Sequence, residues 1–455
     1  MKPNPRTLKY SRLDHQYLWH PFTQMKEWID RIPVIIESGK GVYLRDTEGK
    51  RYLDGTSSIW VNIHGHRHPE INRSIKHQID RIAHSTFLGL SHVPAIRLAE
   101  KLVKLAPRGL TKVFYSDNGS TAMEVAVKMA VQFWQYQGKA ARKKQQFLTL
   151  TNAYHGDTVG TMSLGGIPLF HDAFKSLFYK TIRIEAPYCY RCPLGLTYPE
   201  CGIACLEKLE MNLKNHSERI AGIVMEPAIM AAGGMIPIPG GYLGRIRELA
   251  TRHDVLLILD EVATGFGRTG RMFASQHEKV TPDLMAVAKG LTGGYLPMAA
   301  TLTTERIFNA FLGRYDEFKT FFHGHSFTGN PVAAAAGLAN LRIFKNERTL
   351  INVRTKIKMM KKLLEPMQEL PMVGDVRQVG LIGILELVQD KIRKTPFPLA
   401  QRRGIRVCEE AGNRGLLIRP LGNILVLMPP LSVSDKELIR MVSILKKSIL
   451  SVDWK

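Results

Sequence analysis

Long apolar runs are missing from this 455-residue sequence. No stretch approaches the roughly 20 apolar residues that a membrane-spanning helix needs. The N-terminal stretch MKPNPRTLKYSRLDHQ also lacks the apolar middle of a secretory signal. These absences exclude a transmembrane protein, and we expect a cytoplasmic protein without a membrane partner. The 45% of hydrophobic residues still suffice for a large core.

Acidic residues are also scarce, with 40 Asp and Glu against 63 Lys and Arg and a net charge of +23. Such an excess could indicate a nucleic-acid partner. The basic residues are dispersed, however, and dense stretches such as KIKMMKK read as solvated helix faces without a nucleic-acid-binding motif. The charge therefore predicts a solvated basic surface, and we expect no nucleic-acid partner.

Cysteine is rare, with five in the chain, yet four of them lie close together in CYRCPLGLTYPECGIAC. A Cys-x2-Cys pair followed by a Cys-x3-Cys pair could ligate zinc, because thiolates on two short turns can converge on a tetrahedron. The gap between the pairs is short for the usual zinc ribbon. We predict a reduced surface segment without metal, and zinc stays an alternative at Cys189, Cys192, Cys201 and Cys205.

Short Val, Ile and Leu runs, such as IAGIVME and VLLILDE, alternate with helical patterns through the middle of the chain. This alternation is typical of a parallel sheet covered on both faces. The N-terminal GVYLRDTEGKRYLDG predicts a hairpin, and the C-terminal third begins with a long helix and ends with strand-like ILVLMPP. The predicted fold class is α/β, with a large domain around a mostly parallel sheet and a smaller α+β domain from both chain ends.

Two predicted strands end in ionisable residues, VLLILDE in Asp260 and Glu261, and LMAVAKG in Lys289. Ligands of open parallel sheets gather at the carboxyl ends of strands, so a carboxylate and an amine would share one rim. Pyridoxal phosphate needs both, a lysine for its aldehyde and an anion beside its pyridine nitrogen. Lysine suits the first role because desolvation lowers its pKa and frees the amine. Alternatively, Asp260 and Glu261 cap the following turn, and the side chain of Lys289 extends into solvent.

A phosphate cradle is predicted in FYSDNGSTAMEVAVKMA, where Gly119 and Ser120 stand at the transition from a turn to a helix. The N–H groups and the dipole of a helix N-terminus favour a phosphate. Ser120 could also act as a simple N-cap, and the two roles are compatible.

Two further patterns look like binding motifs. GFGRTG has G-x-G-x-x-G spacing, but it lies several residues beyond the strand and does not open a helix, so we do not expect dinucleotide binding. The histidines of HGHRHP and HGHS lie among glycines in loops, and we expect them to lack a carboxylate partner. We expect them to support turns and neighbouring site residues rather than to bind a metal.

The segment LLILDEVATGFGRTGRMFASQHEKVTPDLMAVAKGLTGGYLPMAA closely resembles the cofactor-binding signature of class III aminotransferases. Similarity to that class extends over nearly the whole chain, including AYHGDTVGTMSLGG and HGHSFTGNPVAAAA. The resemblance implies a transferase of fold type I, the aspartate aminotransferase type, that depends on pyridoxal phosphate. It also implies a homodimer with shared active sites. We place the large domain at 66–335 and the small domain at 1–65 and 336–455.

The same resemblance implies roles around the cofactor ring. Lys289 would bond covalently to pyridoxal phosphate and later move the proton between substrate and cofactor. Asp260 would pair with the pyridinium. Tyr154 would stack on the ring and border the substrate, and Glu226 would order the polar side of the site.

The phosphate of the cofactor would be held by two subunits. Gly119 and Ser120 would hold it from one subunit. His325 and Ser326, in the loop that starts at Gly324, would reach it from the other.

The motifs LWHPFTQM and LLIRPLGNILVLMPP resemble the branch of the class that aminates 8-amino-7-oxononanoate in biotin biosynthesis. In that branch Arg419 would bind the carboxylate of the long substrate, which fits the bidentate geometry of a guanidinium. Trp60 and Phe22 would line the apolar slot for its methylene chain. Residues that would also border the substrate are Ile59, Tyr154, Lys289 and Gly324.

Some positions depart from the pattern of many members of that branch. The chain has Phe22 where they have a tyrosine, Ile59 where they have the first of two tryptophans, and His325-Ser326 where they have Pro-Thr. Together with the cysteine-bearing segment, these variants resemble members that use lysine as amino donor. We expect S-adenosylmethionine as the donor, with lysine as the alternative.

Two other hypotheses stay open. One keeps the fold and changes the substrate to ornithine, 4-aminobutyrate or a similar amine. The other is a basic, zinc-stabilised nucleic-acid-binding protein built around the four cysteines, which predicts bound zinc and no visible chromophore.

Overall fold

The computed structural model describes residues 3–454, and within that range the chain forms eighteen strands and fifteen segments with α-helical hydrogen bonding. The strands are β1 (Ile36–Lys40), β2 (Tyr43–Asp46), β3 (Arg51–Asp54), β4 (Leu110–Ser116), β5 (Gln146–Leu150), β6 (Ile182–Ile184), β7 (Ile220–Met225), β8 (Ile229–Met230), β9 (Ile236–Pro237), β10 (Leu256–Asp260), β11 (Leu284–Val287), β12 (Ala299–Thr304), β13 (Val373–Val379), β14 (Ile382–Asp390), β15 (Thr395–Pro396), β16 (Leu416–Leu417), β17 (Arg419–Leu421) and β18 (Ile424–Leu427).

The helical segments lie between and around these strands. They are α1 (Pro5–Tyr17), α2 (Met25–Ile29), α3 (Ser57–Trp60), α4 (Pro69–Arg81), α5 (Val93–Leu105), α6 (Gly119–Gln135), α7 (Val159–Leu164), α8 (Pro168–His171), α9 (Glu207–His216), α10 (Tyr242–Arg252), α11 (Glu305–Ala310), α12 (Pro331–Asn346), α13 (Thr349–Leu364), α14 (Arg403–Asn413) and α15 (Asp435–Ser451).

A seven-stranded sheet forms the centre of the molecule, in the order β4-β12-β11-β10-β7-β5-β6. Neighbouring strands are parallel in the four pairs β11-β10, β10-β7, β7-β5 and β5-β6. β12 runs antiparallel to its neighbours β4 and β11. The sheet is therefore mostly parallel, as predicted. A parallel arrangement places the carboxyl ends of β7, β10 and β11 at one edge.

Helices cover both faces of this sheet. On one face Ala126 of α6 belongs to the same apolar cluster as Val224 and Ile258, and on the other Ile246 of α10 shares a cluster with Leu257. Every residue of β7, β10 and β11 is buried. This coverage explains why the three strands read as continuous apolar runs, since neither face meets water.

The two chain ends form the smaller sheets. β1, β2 and β3 make an antiparallel meander, and β16 from the C-terminal part pairs parallel to β3. A second sheet contains β13, β14, β18 and β17, with β15 against β14. Helices α13 and α14 pack on these strands, and α15 packs on both of those helices.

The predicted α/β class with a mostly parallel central sheet is confirmed. So are the hairpin of β2 and β3, the long helix α12 and the strand β18. The domain boundaries at 65 and 335 stay predictions, and residues 1, 2 and 455 of the predicted small domain lie outside the described residues. Between residues 3 and 454 there is no helix with the length and apolar character required to cross a membrane.

Candidate active site

The carboxyl ends of three neighbouring strands meet at one cavity. Glu226 directly follows β7, Asp260 ends β10, and Lys289 stands two residues after β11. Because these strands are adjacent and parallel, their closing residues arrive at the same edge of the sheet. All three residues line a cavity of about 450 Å³.

The structure brings about half of the predicted site residues together and leaves the others outside the cavity. The predicted residues that line the cavity are Trp60, Gly119, Ser120, Tyr154, Glu226, Asp260 and Lys289. Those that do not line it are Phe22, Ile59, Gly324, His325, Ser326 and Arg419.

Lys289 carries the amine of the cavity. Its backbone is left-handed (φ 42°) at the start of a short 3-10 turn, and its Nζ lies 5.1 Å from the centre of the Trp60 ring. Burial lowers the pKa of this amine, and the negative charges of Asp260 and Glu226 only partly oppose the effect. A lowered pKa increases the fraction of neutral, nucleophilic amine.

His155 is a site residue that the sequence analysis missed. Its Nδ1 lies 2.8 Å from Asp260 Oδ2, and both side chains are buried. The other carboxylate oxygen of Asp260 accepts a hydrogen bond from the Val262 N–H at 3.0 Å. The two contacts fix the orientation of the carboxylate. The available signal was the position of His155 directly after Tyr154 in AYHGDT.

Glu226 is a second carboxyl group of the cavity. Its Oε2 accepts from the Ala231 N–H at 2.8 Å, and its Oε1 accepts from the Tyr154 N–H at 3.4 Å. Burial raises the pKa of Glu226 to about 7; His155 lowers it and the charge of Asp260 raises it further. This carboxyl can therefore hold or release a proton near neutral pH.

Glu261, the neighbour of Asp260, has a structural environment instead. It is buried and accepts hydrogen bonds from the Ala274 N–H (2.9 Å), the Ser275 N–H (2.8 Å) and the Thr264 hydroxyl (2.5 Å). It does not line the cavity. Of the acidic pair, Asp260 reaches the cavity and Glu261 caps the following turns.

Helix α6 begins at the edge of the cavity. Its N-cap is Asn118, whose side chain accepts from the Thr121 N–H at 3.0 Å, so Ser120 is not the cap that its sequence position allowed. Gly119 is required because a Cβ there would lie 2.6 Å from a methyl group of Val262. The amides of Gly119 and Ser120 occupy the first helical positions, which lack an intrahelical acceptor and suit an anion.

Aromatic rings lead outwards from the cavity. Tyr154 donates its hydroxyl to Asp157 Oδ2 at 2.7 Å. The Phe170 ring lies 6.2 Å from the Tyr154 ring and 5.3 Å from the Phe22 ring. Arg419, which is exposed, donates from Nη2 to the Phe22 carbonyl at 3.4 Å. An aromatic row therefore runs from the cavity to a guanidinium.

The loop predicted to reach a second subunit borders this cavity without lining it. Gly324 and Ser326 are exposed. His325 is half-buried, with its Nε2 3.4 Å from Asp117 Oδ1. None of the three lines the cavity formed by their own chain.

The segment α3 (Ser57–Trp60) connects β3 to the cavity, and because its backbone is left-handed rather than right-handed helical it is named here the left-handed turn. The φ angles of its residues are 51°, 49°, 65° and 68°. A left-handed backbone costs an L-residue roughly 1–2 kcal/mol, and β-branched Ile59 is an unusual occupant. Strain of this kind persists only where the surroundings enforce it. The turn brings Trp60 to the cavity and leaves Ile59 46% exposed.

The loop motifs set aside in the sequence have structural contacts. His66 bonds Asp54 and Asn62, at 3.0 Å and 3.1 Å, and the ring of His68 accepts from the first turn of α4. Two of the histidines of HGHRHP have a carboxylate partner, contrary to the expectation from the sequence. GFGRTG forms a turn in which the buried Arg268 donates to the Pro429 carbonyl at 2.5 Å.

The four clustered cysteines line a small cavity of about 20 Å³, apart from the site above. All four are free thiols. In residues 3–454 no group of three or more His, Cys, Asp or Glu side chains could hold a metal ion. Burial raises the pKa of Cys205 to about 11 and so favours its thiol form.

The cavity thus combines a desolvated amine, an oriented carboxylate and a helix N-terminus. The sequence matches the aminotransferase class-III family over residues 24–449. The chain belongs to the class III aminotransferases. Enzymes of this class depend on pyridoxal phosphate, which is therefore the cofactor of this aminotransferase.

Named relatives cover almost the full length of this aminotransferase. The adenosylmethionine-8-amino-7-oxononanoate aminotransferase of Geobacter sulfurreducens is 53% identical over 440 residues, which is 96% of this chain and 97% of the relative. The enzyme of the same name from Aquifex aeolicus is 48% identical and covers 99% of this chain and 98% of its own.

Solved structures share the fold of this class III aminotransferase and confirm the predicted fold type. The adenosylmethionine-8-amino-7-oxononanoate aminotransferase of Methanocaldococcus jannaschii superposes with a TM-score of 0.93 at 44% identity, covering 98% of this chain and 99% of its own. The ω-transaminase of Pseudomonas jessenii in complex with PMP has a TM-score of 0.92 at 32% identity, covering 96% and 97%.

The residues present fit the cofactor of a class III aminotransferase. The cavity offers an amine for the aldehyde, a carboxylate for the ring nitrogen and a helix N-terminus for the phosphate. Its volume of about 450 Å³ leaves room for a substrate beside the ring.

Proposed function

We propose that this aminotransferase converts 8-amino-7-oxononanoate to 7,8-diaminononanoate in biotin biosynthesis, with S-adenosylmethionine as amino donor. The observation that carries the proposal is the aromatic row from Tyr154 through Phe170 and Phe22 to Arg419. Such a row suits a substrate with a long methylene chain and a terminal carboxylate. Relatives of the corresponding name at 46–53% identity over nearly the full chain support the same substrate.

Lys289, Asp260 and Glu226 form the reacting part of the proposed site. Pyridoxal phosphate would supply an electron sink for the carbon that gains or loses the amino group. Lys289 would hold the cofactor and transfer the proton at the substrate carbon, since its pKa is lowered by burial. Asp260, oriented by His155, would keep the pyridine nitrogen protonated. Glu226 would order the polar side of the site together with Tyr154.

The phosphate would be bound by the amides of Gly119 and Ser120 at the start of α6. We further propose a homodimer in which His325 and Ser326 of the loop starting at Gly324 approach the phosphate of the other subunit. Support comes from their position outside the cavity of their own chain. A contribution to a neighbouring site is compatible with that position.

On the substrate side, Trp60 and Phe22 would line the slot for the methylene chain, and Ile59 and Gly324 would border it. Arg419 would bind the substrate carboxylate, because its guanidinium is exposed and has the Phe22 carbonyl as a weak neighbour at 3.4 Å. Five free thiols suit a reducing compartment, and we propose a cytoplasmic location.

Lysine is the alternative donor for the same reaction. Phe22 and Ile59 differ from the tyrosine and tryptophan of many enzymes of this branch, and in the proposed slot both would lie near the entrance. The keto substrate and the donor use the site in turn, so these two side chains would influence which amine enters.

Another ω-aminotransferase reaction is the second candidate function. The ω-transaminase of Pseudomonas jessenii matches the fold with a TM-score of 0.92, close to the 0.93 of the oxononanoate enzyme. The fold therefore does not distinguish between the two candidate functions. The distinction rests on Arg419 and the aromatic row that leads to it.

An assay with purified enzyme tests the proposal. The enzyme is given 8-amino-7-oxononanoate with S-adenosylmethionine, then with lysine, and 7,8-diaminononanoate is measured. Product with either donor supports the keto substrate, and the comparison identifies the donor. No product with either donor, alongside rapid turnover of ornithine or 4-aminobutyrate, would contradict the proposal.

Arg419→Ala provides a second test. We expect it to raise the KM for 8-amino-7-oxononanoate by about 10- to 100-fold, because a charge-assisted bidentate contact is lost, while cofactor affinity stays unchanged. The exposed Arg393 offers a matched control, since its Nε lies 3.9 Å from Asp390 and away from the row. Equal losses of substrate and cofactor binding would contradict the role of Arg419.

A further inference from the structure

Asp54 contacts the left-handed turn from outside the cavity. It ends β3 and is 1% exposed. Its Oδ1 accepts from the Ser58 N–H at 2.9 Å, and its Oδ2 accepts from the Ser58 hydroxyl at 2.8 Å. One carboxylate therefore binds both the backbone and the side chain of a residue in the strained conformation.

A second chain of contacts joins Asp54 to the residues after the turn. His66 Nε2 lies 3.0 Å from Asp54 Oδ2, and His66 Nδ1 lies 3.1 Å from Asn62 Nδ2. Asn62 in turn accepts the Gly65 N–H at 2.8 Å. Asp54 is thereby connected to the chain before and after Trp60.

Asp54 is suited to this position as a carboxylate. Burial opposes its ionisation, but the hydrogen bonds from His66 and Ser58 outweigh burial and lower the pKa of the carboxyl. An ionised carboxylate only accepts hydrogen bonds, so it can serve the Ser58 amide, the Ser58 hydroxyl and the His66 ring together. Bonds to a charged acceptor are about twice as strong as neutral ones.

We infer that Asp54 is a positioning residue for substrate recognition: it holds the left-handed turn that directs Trp60 into the cavity beside Lys289. The inference rests on the proposed function, which assigns Trp60 to the methylene chain of the keto substrate. Asp54 does not line the cavity, so it acts through the turn. The direction of a side chain follows its backbone conformation, and a relaxed turn would aim Trp60 elsewhere.

Two further features accommodate the turn in this shape. Trp60 packs against the apolar cluster that contains Ala231 and Met235. Gly294 allows the Val61 carbonyl to approach, because a Cβ at Gly294 would lie 2.7 Å from that group. Ala231 and Met235 follow Glu226 in the chain, and Gly294 follows Lys289. Both features therefore pack the turn against the segments that come after these two cavity residues.

Asp54→Asn in the cofactor-loaded enzyme tests the inference, with Asp46→Asn as the matched control. Asp46 is also buried, accepts from Lys50 and Tyr52, and lies in the same sheet without contact to the turn. Steady-state kinetics would give kcat and the KM for 8-amino-7-oxononanoate. Hydrogen exchange followed by mass spectrometry would report on the amides of residues 57–62.

We expect Asp54→Asn to raise this KM by about tenfold, as the loss of charge-assisted hydrogen bonds implies. The kcat and the cofactor absorption should stay near those of the wild type, and exchange should accelerate in residues 57–62. Asp46→Asn should change neither the KM nor that exchange. Unchanged exchange and KM in Asp54→Asn would overturn the inference, as would a general loss of cofactor binding in a folded protein.

Ser58→Ala keeps the test decisive if Asp54→Asn does not fold. Ser58 is exposed, and its hydroxyl makes one of the contacts to Asp54, so this variant should shift KM and exchange in the same direction by a smaller factor. No shift in either would contradict the inference. If the wild type does not use 8-amino-7-oxononanoate at all, the proposed function fails, while hydrogen exchange and the KM for the amine that it does use still test Asp54.

Discussion

Two regions of this aminotransferase supply the cavity, and they are built in opposite ways. Asp260 and Lys289 stand at or just beyond the ends of buried, parallel strands whose neighbours fix them on both sides. Trp60 stands on a left-handed turn of four residues outside the central sheet. The groups proposed to take part in the reaction use the most regular part of the fold, and the side chain proposed for substrate recognition uses a strained part.

This difference separates two kinds of function. Chemistry common to a class benefits from strand ends, because the sheet holds functional groups rigidly. Recognition of one substrate among many can be placed on a short segment that is shaped by local contacts such as Asp54 with Ser58. The contrast can be tested by changing each region and measuring rate, pH dependence and stability separately.

The largest effect is expected at the strand end that carries the amine. Lys289→Ala should reduce the transamination rate by about 10²- to 10⁴-fold or more, because it removes the group proposed to transfer the proton. Lys279→Ala is the control, since Lys279 is an exposed lysine with a left-handed backbone (φ 54°). Single-turnover rates and the visible absorption of the cofactor would be measured. A variant that retains wild-type absorption and rate would contradict the assignment.

The next comparison is between two carboxylates at opposite ends of the strands of the central sheet. Asp260→Asn should lower kcat by about 10²- to 10³-fold, as expected when a preorganised charge is removed from a site. Asp283→Asn should leave kcat near the wild-type value, because Asp283 precedes β11 at the opposite edge and bonds Arg247 at 2.7 Å. Comparable losses of kcat in the two variants would show that the carboxylates act through stability alone.

The raised pKa of Glu226 predicts that the stability of the cofactor-free protein depends on pH. Its pKa is about 7 in the folded chain against an ordinary value of 4.5, so unfolding releases a proton within this window. The free energy of unfolding should therefore fall by about 3 kcal/mol in total as the pH rises from 4.5 to 7, and then level off.

Urea unfolding across that pH range, on wild type and Glu226→Gln, would measure the effect. The glutamine variant cannot ionise, so its stability should lack this decline. Parallel pH profiles for the two proteins would rule out the raised pKa.

The smallest effect concerns the strained turn itself. Ile59→Gly should be more stable than Ile59→Ala by about 1 kcal/mol, because glycine adopts a left-handed backbone without the penalty of a Cβ. Both variants remove the same exposed side chain beyond Cβ, so the comparison isolates the backbone. In a right-handed helix the order would be reversed. Thermal unfolding of both would decide, and a more stable alanine variant would indicate an unstrained turn.

Sequence patterns predicted the regular region better than the strained one. Asp260 and Lys289 could be placed at one rim because parallel strands order their carboxyl ends, whereas Glu226 was expected there only from the family resemblance. His155 was missed, since a histidine in a loop has no periodicity that relates it to a distant Asp260. Asn118 was not recognised as the cap of α6, because several residues near Gly119 can serve that purpose.

The conformation of Ser57–Trp60 could not be predicted from its residues. Serine, isoleucine and tryptophan all prefer other backbone conformations, and the contacts that impose the turn come from Asp54 and His66 and from Met428 far along the chain, whose carbonyl accepts from the Ser57 hydroxyl at 2.7 Å. The position of Phe22 beside Arg419 also depends on such distant contacts.

The parallel pairing of β3 with β16 has a consequence for the order in which a newly made chain becomes functional. The Leu53 N–H bonds the Gly415 carbonyl and the Gly55 N–H bonds the Leu417 carbonyl, just before the segments that carry Trp60 and Arg419. During synthesis the N-terminal strand therefore emerges first and lacks its neighbour until the last tenth of the chain leaves the ribosome. A chain that stopped before β16 would contain Lys289 and Asp260, but the proposed binding site for the keto substrate would be incomplete.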